Sequence, residues 1–254
     1  VTFTTTNSAA TFAAITNGTA RNMTVSTGSG AISLSGNVGT GTALSAIVLN
    51  STGTTTITGI VNAASLTTNA GGTTAINSTA ITTTGAQAYN DNVTLGANAA
   101  LNSGAGTITF AGTLSGAANT LTIQNNGGAT GTVTFTRDVT LSGLTTAANA
   151  YAVTMNGGTN TITNAVTFLN TGLVTLGNGA ADAFTFNGGV THTAGSTTLF
   201  STINTSADPV NFAATTIAGN SSILSTGGNI TLAAVNSNVA GSFNFTLTAG
   251  AGTI

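Results

Sequence analysis

The stretch GTITFAGTL, residues 106–114, recurs in closely similar form as GTVTFTRDV at residues 131–139. In the first copy a glycine turn precedes two apolar residues, Ile108 and Phe110, which are separated by a single threonine. Successive side chains of a β-strand point to opposite faces, so this alternation predicts a short strand with one buried face. The duplicated strand indicates that the chain is built from repeats.

Further copies of the pattern occur along the whole chain, and the loops between them differ in length. We expect the second apolar residue of each copy to point inward and to form one stacked core ladder. These anchors are Leu34, Ile57, Ile76, Phe110, Phe135, Ile162, Phe186, Phe212 and Leu232. Each fully buried anchor contributes roughly 1.5–3 kcal/mol. An aromatic platform for a sugar is the alternative role for the phenylalanines.

The spacing of the anchors selects the class of repeat. Adjacent anchors are 19 to 34 residues apart, with a mean of roughly 25 residues, too short for propeller blades of roughly 40. Helix-forming residues are scarce, which excludes helical repeats. Two further strands fit between anchors, as at residues 119–125 and 151–157. The sequence therefore predicts an all-β parallel β-solenoid (β-helix), with residues 1–254 in about ten coils of roughly 25 residues and three short strands each.

Charged residues make up only 2% of the 254 residues, against roughly 25% in typical domains. The basic residues are Arg21 and Arg137 alone, so no cluster exists that could bind nucleic acid. Hydrophobic residues reach 41% and alternate with polar ones, which favours a folded core over disorder. No apolar run approaches the roughly 20 residues of a membrane helix, so we expect no membrane span.

A second group of segments resembles a known class of proteins. The segments are AASLTTNAGGTTAI at 63–76, TTTGAQAYNDNVTLGANAAL at 82–101 and FTLTAGAGTI at 245–254. Together with GTITFAGTL they resemble the filamentous haemagglutinin-like and autotransporter-passenger β-strand-repeat exoproteins of Gram-negative bacteria. The most distinctive phrase runs from Gln87 through Tyr89, Asn90 and Asp91.

This resemblance implies a right-handed solenoid that is exported across the outer membrane. It also implies adhesive or scaffolding work, either extracellular or at the outer cell surface, with host or cell-surface glycans as possible partners. Such solenoids carry no catalytic residues. We therefore expect a structural protein that is not an enzyme and needs no cofactor.

A carbohydrate-active solenoid is one alternative, because polysaccharide hydrolases and lyases use this kind of fold. Their grooves need clustered carboxylates, or an aspartate with a basic partner. The four aspartates here are spread along the chain, and turn capping accounts for their positions: Asp91, Asp138, Asp182 and Asp208. Arg137 and Asp138 are adjacent, which places them on opposite faces of a regular strand.

Metal binding has little support in the sequence. His192 lies in the threonine-rich phrase GVTHTAG, where we expect a lone exposed histidine. No second histidine and no cysteine is present to complete a zinc site. Calcium at Asp91 or Asp182 stays open as an alternative.

Ice binding is a further alternative, because TITF, TVTFT and TNTIT resemble the Thr-x-Thr ladders of β-solenoid ice-binding proteins. Such ladders need a flat face and a near-constant coil length. The variable anchor spacing predicts bulges between coils, and Asn, Gly and Ala are expected to interrupt the threonine columns. On the sequence alone, a continuous threonine ladder is therefore not expected.

The two ends of the chain, residues 1–12 and 241–254, are uncharged and strand-like. Strand edges that stay unpaired are usually guarded by lysine, proline or inward charges, and neither end carries them. We therefore expect the ends to pair with further coils of a longer chain, of which this one is a fragment or processed part, or with copies of itself end to end. The residues expected near such a junction are Phe3, Phe12, Phe243 and Phe245.

Overall fold

The computed structural model describes residues 1–239, 241 and 243–254. These residues form 29 strands, joined into one sheet in which every pairing is parallel, and no helix occurs among them. Consequently the described part of the chain contains no helix that is long and apolar enough to cross a membrane.

Most strands are three to five residues long. The longer strands continue around a corner from one side of the molecule to the next. The bounds of the strands are β1 (Thr2–Thr4), β2 (Ala10–Phe12), β3 (Ile15–Asn17), β4 (Met23–Ser26), β5 (Ile32–Leu34), β6 (Val38–Gly41), β7 (Leu44–Asn50), β8 (Thr54–Ile57), β9 (Val61–Thr68), β10 (Thr73–Ile76), β11 (Ala80–Thr83), β12 (Gln87–Tyr89), β13 (Asn92–Leu95), β14 (Ala99–Asn102), β15 (Ile108–Phe110), β16 (Leu114–Ile123), β17 (Val133–Phe135), β18 (Val139–Thr146), β19 (Val153–Met155), β20 (Thr159–Ile162), β21 (Val166–Thr167), β22 (Val174–Leu176), β23 (Ala183–Phe186), β24 (Val190–Leu199), β25 (Thr202–Thr205), β26 (Val210–Ile217), β27 (Ser221–Ser225), β28 (Ile230–Ser237) and β29 (Phe245–Thr248).

The chain winds as a β-solenoid of about 12 turns, close to the predicted ten, and each complete turn passes three faces. Face A contains β5 and β8, face B contains β6 and β11, and face C contains β4 and β12. Neighbouring coils pair in parallel along every face, so the rod rises about 4.8 Å per coil. The predicted fold class is therefore confirmed.

Each face contributes a column of stacked side chains to the interior. On face C the central column runs through Tyr89, Phe110, Phe135, Met155 and Leu176, which pair in succession and are fully buried. The Tyr89, Phe110 and Phe135 rings stack with centroids 5.0 and 5.1 Å apart. The core is thus a set of aliphatic and aromatic columns that run along the rod.

The prediction of one anchor ladder is wrong, because the nine anchors lie in three columns. Leu34, Ile57, Ile76, Ile162 and Phe186 belong to face A. Phe110 and Phe135 belong to face C, and Phe212 and Leu232 to face B. Eight anchors are buried, as expected, whereas Leu232 is only partly buried.

The change of face explains the uneven anchor spacing. The 34 residues from Ile76 to Phe110 cover one complete coil and the additional path from face A to face C. Paired residues show the actual coil length, which reaches 25 residues from Phe110 to Phe135 and falls to 18 from Leu199 to Ile217. Coil length varies less than the anchors suggested.

Candidate functional site

The outward side of face C carries an uninterrupted row of six threonines, which we call the threonine ladder. Its members pair with one another in successive coils: Thr109, Thr134, Thr154, Thr175, Thr198 and Thr216. Each lies between two buried residues of its strand and is itself half-buried. Because each strand places one residue outward between two inward ones, the pattern x-Thr-x builds the ladder.

On face C, this ladder contradicts the expectation of variable bulges between coils and of threonine columns broken by Asn, Gly and Ala. The register shifts in this region lie elsewhere, between Gly116 and Thr120 and between His192 and Ser196. The first lies at the corner between faces A and B and the second at the corner between faces B and C, so the corners absorb the differences in coil length. Face C itself stays in register through all six rungs.

The hydroxyl groups of the ladder lack a hydrogen-bond partner in the part of the protein that the structure describes. Within the described residues, none of the six Oγ1 atoms forms a hydrogen bond to another protein group. Elsewhere on the surface, threonine hydroxyls pair across coils, as Thr16 with Thr40 at 2.7 Å and Thr54 with Thr73 at 3.1 Å. The ladder therefore presents a row of hydroxyls and methyls to solvent.

No charged side chain interrupts the ladder or the positions two residues to either side of it. One flanking row follows the ladder on its N-terminal side: Thr107, Thr132, Ala152, Leu173, Ser196 and Ala214. The other row follows it on the C-terminal side: Ala111, Thr136, Asn156, Gly177, Phe200 and Ala218. Face C from Thr109 to Thr216 is consequently a narrow, neutral strip.

The interior of face B contains the histidine that was expected at the surface, so that expectation is wrong. His192 is fully buried, pairs with Phe212 in the next coil, and packs edge-on against Phe168 at 5.9 Å between ring centroids. Its Nδ1 lies 2.9 Å from the Thr197 hydroxyl, and its Nε2 lies 3.1 Å from the carbonyl oxygen of Asn170. The side chains of Val190 and His192 point inward, and that of Thr191 between them points outward. This alternation is the feature of the sequence that indicates a buried histidine.

Burial lowers the pKa of His192, because the imidazolium loses its hydration, and the carbonyl of Asn170 opposes this only in part. The neutral imidazole fits the observed contacts. Nε2–H donates to the Asn170 carbonyl, and Nδ1 accepts from the Thr197 hydroxyl. His192 is therefore part of the core rather than a free surface ligand.

The distinctive phrase around Gln87 forms a polar network in which Gln87 and Tyr89 are buried and Asn90 is exposed. Gln87 Nε2 donates to the carbonyl of Asn102 at 2.8 Å, and the Tyr89 hydroxyl donates to Gln87 Oε1 at 2.9 Å. Burial raises the pKa of Tyr89, so its hydroxyl keeps its proton. Asn90 Nδ2 donates to the carbonyl of Thr68 at 2.7 Å. These residues hold adjacent coils together.

The aspartates that could support catalysis or calcium binding act mainly at corners. Asp91 is buried and accepts from the backbone N–H of Gly72 at 2.8 Å and from the Thr74 hydroxyl at 3.2 Å. Asp182 accepts from two backbone N–H groups, those of Asn178 and Gly179. Asp182 caps its own turn, as predicted, whereas Asp91 bonds to groups of the neighbouring coil.

Asp138 and Asp182 approach each other more closely than the sequence indicated. Their Oδ1 atoms lie 3.9 and 4.0 Å from the point where a Cβ on Gly158 would stand. Asp138 is exposed, and its Oδ1 also accepts from the backbone N–H of Thr159 at 3.0 Å. Over the described residues, no three His, Cys, Asp or Glu side chains come together as a metal site.

The two ends of the rod expose apolar side chains and open strand edges. At the N-terminal end, Phe3 is 41% exposed and contacts Phe12 edge-on at 4.9 Å. Both line an open cavity of about 520 Å³ together with Ile15, Met23 and Leu44. Phe3 and Phe12, two of the residues expected near a junction, thus line the open N-terminal end of the rod.

At the C-terminal end, Phe243 and Phe245 are partly buried and line a groove of about 240 Å³ with Ile217 and Val235. Among the strands that the structure describes, β28 pairs only with β26, and β29 pairs only with β27. At the opposite end of these described strands, β1 likewise pairs only with β4. Each end thus offers backbone groups on which a further strand can be added.

Comparison with known proteins finds no matching family model, no similar curated protein and no similar solved structure. The resemblance to haemagglutinin-like and autotransporter-passenger repeats stays a prediction.

Proposed function

We propose that this chain is a non-enzymatic structural rod that extends through its ends, either with further coils or with copies of itself. The observation that carries the proposal is the open, apolar, strand-edged surface at both ends. A solenoid coil buries its inward residues only when coils lie on both sides of it, so an end coil gains stability from an added neighbour.

Backbone geometry favours such addition. The unpaired N–H and C=O groups of β1 at one end and β29 at the other follow the same parallel pattern as the interior. An incoming parallel strand would continue the sheet, as in other strand-addition complexes. Phe3, beside the N-terminal cavity, and Phe245, beside the C-terminal groove, would then be covered.

Electrostatics also favours association, because a formal charge of −2 over 254 residues provides little repulsion between rods. A neutral surface rich in hydroxyl and amide groups suits a scaffold that remains in contact with water. We place this work outside the cell or at the outer cell surface, with adhesion to glycans as the accompanying role. These parts of the proposal rest on the resemblance.

The test is the assembly state of the 254-residue chain, measured by size-exclusion chromatography and electron microscopy. We expect end-to-end oligomers or filaments. Phe3→Lys places a charge in the open end and should shorten or abolish them. Leu169→Lys is the matched control, because Leu169 is an exposed apolar residue of similar exposure, 45% against 41%, away from the ends. A monodisperse monomer without fibres would contradict end-to-end assembly of copies.

A further inference from the structure

The threonine ladder repeats with a period that the fold fixes. Successive rungs are one strand spacing apart, about 4.8 Å, so six rungs span about 24 Å. The pairings are in register at every rung from Thr109 to Thr216. A surface that binds a crystal needs this property, because one mismatched step would put all later groups out of phase with the lattice.

The ladder is also rigid. The inward neighbours of its threonines include Phe110, Phe135, Met155 and Leu176, all fully buried. Threonine is β-branched, so its χ1 angle is restricted even at the surface. Little conformational entropy is therefore left to lose when the row of hydroxyls and methyls meets an ordered partner.

The chemistry of the strip favours ordered water as the partner of the ladder. Among the described residues its hydroxyls have no protein partner and are free to bond water, and each threonine adds an apolar methyl group to the same surface. A charged group would hold water in an orientation that does not fit a crystal lattice, and the ladder and its flanking rows contain none. The rung spacing is close to one of the repeat distances between water oxygens in hexagonal ice.

We propose that the threonine ladder of face C is an ice-binding surface. This inference is independent of the end-to-end assembly proposed above. It also reverses the expectation from the sequence, because the two objections, bulged coils and broken columns, do not hold on this face.

Face A provides the internal comparison. Its outward row has only three consecutive threonines, Thr140, Thr161 and Thr185, with Ser115 before them and Asn204 after them. Thr161 is half-buried in the same way as Thr154. A substitution on face A therefore has the same chemistry and burial without touching the ladder.

The experiment measures thermal hysteresis, the gap between melting and freezing points, and the inhibition of ice recrystallisation by the 254-residue chain. We expect a gap for the unaltered chain. Thr154→Tyr should lose most of this gap, because it puts a large ring in the middle of the ladder. Thr161→Tyr should retain the gap. Circular dichroism checks that each variant is folded, and Thr175→Tyr, one rung along, replaces Thr154→Tyr if the latter is not. Absence of a gap in the unaltered chain would overturn the proposal, as would equal loss in Thr161→Tyr.

Discussion

Phe3 and Phe135 are the same residue type in the same column of face C, yet their environments differ. Phe135 is fully buried between Phe110 and Met155, whereas Phe3 is 41% exposed because it has a coil on one side only. The local pattern, an apolar residue after a threonine in a short strand, is alike in both places. The comparison teaches that burial in this fold comes from the neighbouring coils and not from the strand itself.

The largest expected effect is that of a charge at the buried position. Phe135→Asp would place an unpaired carboxylate between two stacked coils, and we expect a loss of about 4–5 kcal/mol in the free energy of unfolding. Phe3→Asp is the matched control and should cost about 1 kcal/mol, since Phe3 is already partly solvated. Urea denaturation followed by circular dichroism measures both, and similar losses would contradict the comparison.

A smaller effect is expected from a single hydrogen bond in the middle of the rod. Tyr89→Phe keeps the ring on the Phe110 stack but removes the donor to Gln87 Oε1, which leaves a buried acceptor unpaired. We expect a loss of about 1–2 kcal/mol by urea denaturation. An unchanged free energy of unfolding would indicate that water replaces the lost donor and that this part of the core is open.

His192 gives a pH dependence of at most about 1.4 kcal/mol between pH 7.5 and pH 5.5. Its pKa is lowered in the folded state by burial, so the unfolded chain takes up a proton first as the pH falls. Stability is thus fully present above the usual histidine pKa of about 6.5 and decreases below it. His192→Leu should flatten this slope, whatever its effect on stability at pH 7.5. A slope retained in His192→Leu would assign it to other groups.

The smallest effect concerns local opening, for which the two arginines are natural probes. Arg21 lies in the first coil between β3 and β4, and Arg137 lies at an exposed corner in the middle of the rod. Because the first coil has a neighbour on one side only, limited trypsin treatment should cleave after Arg21 first and leave residues 22–254 intact. Mass spectrometry identifies the products, and earlier cleavage after Arg137 would show that the middle coils open more readily.

The fold could be predicted from the sequence because apolar and polar residues alternate in short strands that are separated by turns. Few other folds accommodate this repeated pattern. The sequence also predicted nine inward anchors, of which eight are buried. It did not reveal which face each copy occupies, because similar x-Thr-x strands occur on all three faces and the corners differ in length. The assignment of Ile76 and Phe110 to one column failed for this reason.

The candidate site could not be predicted from the sequence for the same reason, because the face that each copy occupies was not known. The six threonines of the ladder are 18 to 25 residues apart, so only the pairing of coils brings them into one row. A polar histidine in a threonine-rich phrase is typical of a surface position, whereas its alternation with Val190 places His192 on the inward side of the strand. A histidine can be buried when both of its ring nitrogens have hydrogen-bond partners. The partners of His192 are Thr197 and Asn170, which are 5 and 22 residues away in the chain.

The parallel pairing of every coil with the next has a mechanical consequence. The hydrogen bonds between coils are directed along the rod, so a pull on its two ends loads the coils in series, and the coil with the weakest contacts separates first. Each detached coil releases 18 to 25 residues of chain, or about 60–85 Å of extended length. Under tension the rod would therefore lengthen in discrete steps, starting from the ends, and dissipate work at each step instead of breaking at once.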